Sequence, residues 1–330
     1  MKQIRLGIVG SGIAAHELHL PALRKLRKEF KVVAVCSRRV AKARSFAATV
    51  GSWVEVESSL EAMLARTDID AIDVATPIML NNPTAMAALR AGKHVFIEKP
   101  VCVDLQEGRL LASLARRSGL VAMTGENMRY RAVVDRARKL LRERTIGQLR
   151  SFTWILQSHL KTSNKYAQTH WRQRHAYEGG FVFDGGVHNI AVILRLAGNV
   201  AEVNARTVSV NRRIGEIDGV YMELQMKNGV RGAVNMQFSA PLDTVDQLTL
   251  VGTKGIMVML GDTLLISAGR GPVSREVFKD DGGFQAEFED FHRAVTAGGE
   301  LRSTVAEGMA DVAVFLAVFR SAKKGRSVSV

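Results

Sequence analysis

The feature that most constrains this chain is a glycine-rich turn directly after its first apolar run. Residues 4–9 read IRLGIV, and residues 10–15 (GSGIAA) open a stretch of helix-forming residues. Gly10 permits a tight turn, Gly12 lets the backbone approach a ligand, and Ala15 lets the helix pack closely on the strand. In this context the pattern predicts a helix N-terminus that binds the pyrophosphate of a dinucleotide. A glycine-rich turn without a ligand is the alternative.

The first 125 residues alternate short β-branched runs with helix-forming stretches, which predicts parallel βαβ units and a doubly wound sheet. Gly92 and Gly119 stand where helix C-caps belong. The predicted strands cover residues 4–9, 32–36, 71–75, 95–98 and 121–124. The predicted helices cover residues 14–28, 40–50, 59–66, 82–91 and 106–118.

From residue 126 long alternating segments predict a mainly antiparallel sheet, with a hairpin turn at Asn228-Gly229. Thr304 and Glu307 predict a capping box for the last helix. The predicted strands cover residues 148–157, 201–210, 219–227, 230–238 and 247–251, and the helices 133–144, 284–297 and 305–323. The fold class is therefore α/β, with a dinucleotide-binding domain over 1–125 and an α+β domain over 126–330. An open sheet face favours a homodimer or homotetramer.

Composition restricts the class of protein. With 330 residues the chain exceeds one usual hydrophobic core, and its net charge is +14. The basic residues are spread along the chain without interleaved aromatic residues, so we expect a solvated basic surface and no nucleic-acid partner. The longest uncharged stretch, residues 74–89, contains two Asn and two Pro, so no membrane span is expected. Cys36 and Cys102 fit a cytoplasmic protein and provide no metal-binding quartet.

The end of the second predicted strand bears on the choice between NAD and NADP. An acidic residue there would bind the ribose hydroxyls of NAD, but residues 31–54 contain no Asp or Glu. The strand is followed instead by Ser37, Arg38 and Arg39, which suit a 2′-phosphate. The sequence therefore favours NADP, with NAD as the second choice. Surface arginines at a helix start are the alternative.

A second group of candidate residues lies in the middle of the chain. Residues 179–188 (GGFVFDGGVH) combine four glycines with Asp184 and His188, which share one face if a helix forms there. We interpret the glycines as allowing close approach to a ligand. Lys99, in the sequence EKP, follows a predicted strand at the edge where doubly wound folds bind ligands.

Taken together, these motifs resemble the Gfo/Idh/MocA oxidoreductases, the family of glucose-fructose oxidoreductase and inositol dehydrogenase, over nearly the whole chain. The order of the motifs makes the resemblance specific. They are GxGxxA at 10–15, HLPAL at 19–23, Ala75-Thr76-Pro77, AGKHV at 91–95, EKP at 98–100, Asn127-x-Arg129, Ile146-Gly147, Trp171-Arg172 and residues 179–188.

The resemblance implies an N-terminal Rossmann domain, catalysis by Lys99, Asp184 and His188, and a sugar, cyclitol or related polyol as the substrate. The family sheet often mediates dimers or tetramers, and a cis peptide before Pro100 is implied. Two departures stand out. Residues 78–82 (IMLNN) lack the histidine that often follows Thr-Pro, and Asn189 with 191–192 (AV) stands where an acidic residue is common.

Hydride transfer from an alcohol requires a base near the hydroxyl oxygen, and His188 is the natural candidate, in the first turn of a helix that would favour its neutral form. Asp184 could orient that ring or bind a substrate hydroxyl, and Lys99 could donate to the reacting oxygen. The plainer alternatives are a core histidine, a helix-capping aspartate and a surface lysine.

The sequence thus provides two sets of site residues. The expected cofactor-binding residues are Gly10, Gly12, Ile13, Ala14, Ser37, Arg38, Arg39, Thr76, Pro77, Glu98 and Lys99. The expected substrate-binding residues are Lys99, Arg129, Tyr166, Trp171, Arg172, Asp184 and His188, with Tyr130, Lys161, Arg174 and His175 as further candidates. A non-catalytic dinucleotide-binding sensor on the same fold is the alternative function, and a nucleic-acid binder is a third.

Overall fold

The computed structural model describes residues 2–173, 177–242, 245–269 and 271–330. The chain divides into two compact units, Met1–Tyr130 with Asp281–Val312, and Arg131–Asp280 with Ala313–Val330. The boundary expected at residue 125 therefore differs from these units, because residues 126–130 and 281–312 pack with the N-terminal part of the chain.

The first unit contains a six-stranded parallel sheet. Its strands are β1 (Ile4–Val9), β2 (Phe30–Cys36), β3 (Glu55–Glu57), β4 (Ala71–Val74), β5 (His94–Glu98) and β6 (Ala122–Gly125). Its helices are α1 (Leu20–Lys25), α2 (Val40–Val50), α3 (Leu60–Ala65), α4 (Ile78–Arg90) and α5 (Leu105–Ser118). The order β3-β2-β1-β4-β5-β6 confirms the doubly wound parallel sheet.

Differences from the predicted elements of this unit have local causes. The polar strand β3 has only three residues and no alternating pattern to reveal it. Helix α4 begins at Ile78 and contains Pro83, whereas the proline was expected near the helix start. The first helix is continuous from Ile13 but widens into a π-helical segment at Ala15–His19 before α1.

The second unit is built on a nine-stranded mixed sheet. Its helices are α6 (Ala132–Arg142), α7 (His170–Gln173) and α8 (Gly180–Ala197). Its strands are β7 (Leu149–Gln157), β8 (Val200–Val208), β9 (Gly219–Met226), β10 (Arg231–Gln237), β11 (Val245–Gly252), β12 (Gly255–Leu260), β13 (Thr263–Ala268), β14 (Ser274–Val277) and β15 (Val328–Ser329). The order is β14-β13-β12-β11-β7-β10-β9-β8-β15, and in the described residues only β7 and β10 pair in parallel. The mainly antiparallel sheet is confirmed.

Two helices complete the chain, α9 (Phe284–Ala297) and α10 (Val305–Lys324). Helix α9 belongs to the first unit because its aromatic residues pack on that sheet. The ring of Phe288 stacks on Phe96 with centroids 4.4 Å apart, and Phe291 stacks on Phe30 at 6.4 Å. Such contacts join segments far apart in the sequence, so no local pattern predicts them.

Helix α8 is long and apolar enough to pass a test for a membrane span, although none was expected from the sequence. It has 18 residues, and 67% of that window is buried inside the protein. Burial of this extent is what a core helix of a folded protein requires. The helix is therefore weak evidence for a membrane segment.

The capping box at the start of α10 is confirmed. The Thr304 hydroxyl accepts a hydrogen bond from the Glu307 amide at 3.2 Å, and the Thr304 amide donates to Glu307 Oε2 at 2.7 Å. We expect Thr304→Ala to lower the free energy of unfolding by about 1 kcal/mol, because the Glu307 amide loses its hydroxyl acceptor and Glu307 Oε2 loses the hydrogen bond from that hydroxyl. Urea unfolding would measure the loss, and Thr304→Ser, which keeps the hydroxyl, serves as the control. Equal stability of the Ala and Ser variants would contradict the assignment.

Candidate active site

The glycine-rich turn after β1 has the geometry of a phosphate-binding loop. Gly10 has φ +105°, donates its N–H to the Cys36 carbonyl at 2.8 Å, and leaves no room for a Cβ, which would lie 2.1 Å from the Ala75 oxygen. At Gly12, by contrast, a Cβ would meet nothing within 4 Å. The hydroxyl of Ser11 is buried without a hydrogen-bond partner in the described part of the chain. This open backbone and orphan donor fit a dinucleotide pyrophosphate.

The end of β2 places a basic group next to this turn. Ser37 is half-buried, and Arg38 and Arg39 are both exposed just before α2 begins at Val40. The backbone bond between Gly10 and Cys36 keeps this strand end beside the loop. A 2′-phosphate on a bound adenosine could therefore meet two guanidinium groups.

The segment that carries Lys99 is held by a side chain that sequence reasoning missed. Asn81 is buried, and its Nδ2 donates to the carbonyls of Glu98 at 2.9 Å and Pro100 at 3.1 Å. Thr76 donates its hydroxyl to Asn81 Oδ1 at 2.8 Å. The peptide between Lys99 and Pro100 is cis, as the resemblance implied. Asn81 lies within residues 78–82, where the sequence departs from the family pattern, and that departure was the only available signal.

Glu98, which is expected to bind the cofactor, supports the fold of this segment. Its Oε2 accepts a hydrogen bond from the Lys99 amide at 3.0 Å, and its Oε1 lies 2.8 Å from Nε2 of the buried His19. Lys99 itself is half-buried in the first unit. The two oxygens of Glu98 are thus committed to protein groups.

In the second unit the structure joins Tyr166, Trp171, Arg172 and Asp184 by contacts, and His188 lies on the same helix as Asp184. Asp184 and His188 lie one turn apart on α8, as expected if a helix formed. Asp184 Oδ2 accepts a hydrogen bond from Arg172 Nε at 2.7 Å. The guanidinium of Arg172 lies over the rings of Trp171 and Tyr166, 4.0 and 5.3 Å from their centroids. Asp184 therefore positions Arg172.

Two expectations about α8 are wrong. His188 is the ninth residue of the helix, so the expected first-turn effect of the helix dipole on the imidazole does not apply. Gly179 and Gly186 serve packing, because a Cβ at either position would lie 2.0 Å from Phe319 or 2.4 Å from Phe315. These glycines make room for aromatic rings rather than for a ligand.

Arg129 and Tyr130 also differ from expectation, since neither side chain is exposed. Arg129 is 3% exposed, and its Nη2 lies 2.7 Å from both carboxylate oxygens of Asp311 while Nη1 donates to Ser303. The hydroxyl of Tyr130 donates to Asp290 at 2.9 Å. Both side chains therefore have partners in the interior of the first unit, and the expectation that they contact substrate is not supported.

The remaining candidates on the expected substrate wall add little. Lys161 is exposed in the second unit. Arg174 and His175 lie outside the described residues. Among these candidates, Arg172 contacts Asp184, and Tyr166 and Trp171 contact Arg172.

Comparisons with known proteins identify the type of fold and chemistry. A model of the oxidoreductase family with an NAD-binding Rossmann fold matches residues 4–126. A model of the GFO/IDH/MocA C-terminal domain matches residues 134–258. Together the two models cover most of the chain.

Individual relatives agree with the family models. An uncharacterised protein of Saccharomyces cerevisiae is 32% identical over 90% of this chain and 88% of its own. The 1,5-anhydro-D-fructose reductase of Ensifer adhaerens is 27% identical over 99% of this chain and 98% of its own. The crystal structure of an oxidoreductase from Thermotoga maritima superposes with a TM-score of 0.92 at 32% identity, covering 99% of this chain and 98% of that one.

The contrast between the two loop glycines gives a test of the cofactor site. Gly12→Ala should leave the melting temperature nearly unchanged, because its Cβ enters open space, yet lower dinucleotide affinity by about tenfold or more by occupying the space for the pyrophosphate. Gly10→Ala is the matched control and should destabilise the fold by about 1–3 kcal/mol through backbone strain and collision. Calorimetric titration with NADPH and thermal unfolding separate the two effects. Unchanged affinity in Gly12→Ala would contradict this location of the cofactor.

Proposed function

Because the chain belongs to the GFO/IDH/MocA family of NAD-binding oxidoreductases, we propose that it transfers hydride between NADP and one carbon of a sugar, cyclitol or related polyol. A nicotinamide cofactor and a sugar-like substrate suit the family. The relative named 1,5-anhydro-D-fructose reductase, aligned over nearly the full length of both chains, supports reduction of a sugar ketone as one direction.

The single structural observation that carries this proposal is the fixed backbone around Lys99. Asn81 holds the carbonyls on both sides of the lysine, and Glu98 accepts its amide proton. Catalysis by hydrogen bonding requires a donor whose position does not change during the reaction. A lysine mounted in this way is suited to donate to the oxygen on the reacting carbon.

The proposed roles follow from the chemistry of each side chain. When bound, the nicotinamide accepts or supplies the hydride. His188 takes the hydroxyl proton of an alcohol, or returns a proton to a reduced ketone. Lys99 donates a hydrogen bond to a substrate oxygen, and Asp184 keeps the Arg172 guanidinium against the aromatic rings, where it can bind a hydroxyl.

The preference for NADP is proposed from the basic end of β2. Arg38 and Arg39 are exposed there, and no acidic residue occurs from position 31 to 54 to bind a ribose hydroxyl or repel a phosphate. Ser37 adds a short hydroxyl donor beside them. NAD is the alternative cofactor, and the family model that matches this half is described as NAD-binding.

Assembly and location are also proposed. On β9 the exposed Tyr221 and Glu223 alternate with buried Val220, Met222 and Leu224, so one face of the large sheet is open in the single chain. We propose that a second copy covers this face in a homodimer or homotetramer. The free cysteines Cys36 and Cys102 are buried, which suits a protein of the reducing cytoplasm.

Replacing the proposed proton-donating lysine tests the mechanism. Lys99→Ala should lower kcat by at least about 10²-fold, because the reacting oxygen loses its charged donor, and should change NADPH affinity by less than about threefold. Lys28→Ala, which removes an exposed lysine of the same unit, is the control. Nicotinamide absorbance with a panel of sugars, cyclitols and their ketones measures turnover. Wild-type turnover by Lys99→Ala would remove the lysine from the mechanism.

The cofactor preference has its own test. Replacing Arg38 and Arg39 together by Ala should weaken NADPH binding by about tenfold to hundredfold and leave NADH binding within about twofold, since only NADPH carries the 2′-phosphate. Arg44→Ala, an exposed arginine on α2, controls for the general loss of positive charge. Fluorescence titrations with both dinucleotides provide the measurement. An equal loss of affinity for NADH and NADPH would show that Arg38 and Arg39 do not bind the 2′-phosphate.

A further inference from the structure

A histidine that the expected site does not include lies between two carboxylates inside the first unit, one of them the neighbour of Lys99. His19 is fully buried, with Nδ1 2.8 Å from Asp73 Oδ2 and Nε2 2.8 Å from Glu98 Oε1. It is the last residue of the π-helical segment before α1, Asp73 lies on β4, and Glu98 ends β5. The ring therefore joins three elements of the first unit.

The partners of His19 determine its protonation. A neutral imidazole has one N–H, whereas both ring nitrogens here face carboxylate oxygens at hydrogen-bond distance. Glu98 needs its remaining oxygen for the Lys99 amide, and Asp73 Oδ1 has no partner among the residues that the structure describes. An imidazolium satisfies both contacts and balances the buried negative charge.

The electrostatic environment also favours a protonated His19. Burial lowers the pKa of His19, but Asp73 and Glu98 outweigh it and raise that pKa well above its ordinary value. Glu287 on α9 acts on the same cluster. Burial raises the pKa of Glu287 well above the usual range, and the neighbouring carboxylates Glu98, Glu126 and Asp73 add to that rise against the opposing effect of His19.

Aromatic packing fixes the ring itself. Phe96 and Phe288 contact His19 edge-on, with centroids 5.5 and 5.4 Å away. Rotating the imidazole out of its two hydrogen bonds would push it into these rings. The orientation of Glu98, and with it the acceptor for the Lys99 amide, is thus coupled to a rigid part of the core.

We propose that His19 is a positioning residue which, as an imidazolium, fixes the backbone of Lys99 through Glu98. The ring holds one carboxylate oxygen of Glu98, and the other oxygen holds the Lys99 N–H. His19 acts only through these groups and does not touch the reacting atoms. The role of Lys99 in turnover rests on the proposed function. The hydrogen-bond network itself does not depend on that function.

Two amide variants, each of which keeps one of the two ring donors, separate the positioning of Lys99 from the stability of the fold. In His19→Gln the side-chain amide nitrogen replaces Nε2 and keeps the donor to Glu98, whereas in His19→Asn it replaces Nδ1 and keeps the donor to Asp73. Both remove the charge and one buried contact, so similar losses of melting temperature are expected. His19→Asn should lower kcat by about 10-fold to 100-fold with cofactor KM nearly unchanged, and His19→Gln should recover most of kcat.

The control pair is placed at another buried histidine of the first unit. His292 Nε2 lies 2.8 Å from the Lys2 carbonyl. Lys2 is not one of the residues named at the candidate site. His292→Gln and His292→Asn should lower the melting temperature but leave kcat within about twofold. Equal kcat in His19→Gln and His19→Asn, or the same pattern at His292, would overturn the proposal.

A measurement on the unmodified protein tests the network without turnover. In protein labelled with ¹⁵N-histidine, His19 should show two protonated ring nitrogens from about pH 6 to pH 9, the range in which an ordinary imidazole loses its proton. The Lys99 amide should exchange slowly with solvent, and at least about tenfold faster in His19→Asn than in His19→Gln. A ring with a single bonded proton overturns the proposal even if the protein is active. If both NMR results are as expected but the protein turns over no substrate, the hydrogen-bond network is supported and the proposed function is contradicted.

The pH dependence of stability follows from the same charge. A histidine whose pKa is raised by folding stabilises the protein fully below its unfolded value of about 6.5, and the effect is lost as pH rises through the raised pKa. The groups that face it are Asp73, Glu98 and Glu287. The melting temperature of the wild type should therefore exceed that of His19→Gln by a constant amount below about pH 6, and the difference should shrink steadily as pH rises above about 6.5 towards the raised pKa. A difference that stays constant from about pH 6 to pH 9 would mean that folding does not raise the pKa of this ring and would overturn the proposal.

Discussion

One charge arrangement constrains the whole first unit: a fully buried histidine between Asp73, which is fully buried, and Glu98, whose side chain is 12% exposed. Asp73 and Glu98 come from neighbouring parallel strands, and leaving either uncompensated would cost several kcal/mol. His19 is the last residue of the π-helical segment that follows the glycine-rich turn, and its two ring nitrogens lie 2.8 Å from one oxygen of each carboxylate. Phe288 of α9 closes the cluster, which explains why a segment from the end of the chain belongs to this unit.

Two different kinds of hydrogen bond fix the backbone around Lys99. A charged network holds the amide of Lys99, and a neutral amide side chain, Asn81, holds the carbonyls before and after it. The loop expected to bind the dinucleotide depends instead on the absence of side-chain atoms and of negative charge. No Cβ occupies the space at Gly12, and no acidic residue occurs near Arg38. The proposed hydride transfer depends on both features, the positioned lysine and the open phosphate loop.

The second unit contains a polar and aromatic cluster of different character. Arg172 is paired with Asp184 and stacked on Trp171 and Tyr166, so the charge of the guanidinium is balanced locally while its planar donors stay fixed. Such a surface suits an uncharged molecule with several hydroxyl groups better than an anion. The net charge of +14 therefore does not describe the candidate site, since the strongly basic balance of the chain resides largely in exposed residues.

The sequence by itself determined the features whose physics is local. The turn at Gly10 and Gly12, the hairpin at Asn228-Gly229 and the capping box at Thr304 each depend on a few consecutive backbone groups, and all three are present as predicted. Tertiary structure alone decided the partners of buried groups. It made Arg129 a core residue and bonded His19 to residues 54 and 79 positions away. A buried charge takes whichever partner the packed strands bring within 3 Å, and no spacing along the chain encodes that distance.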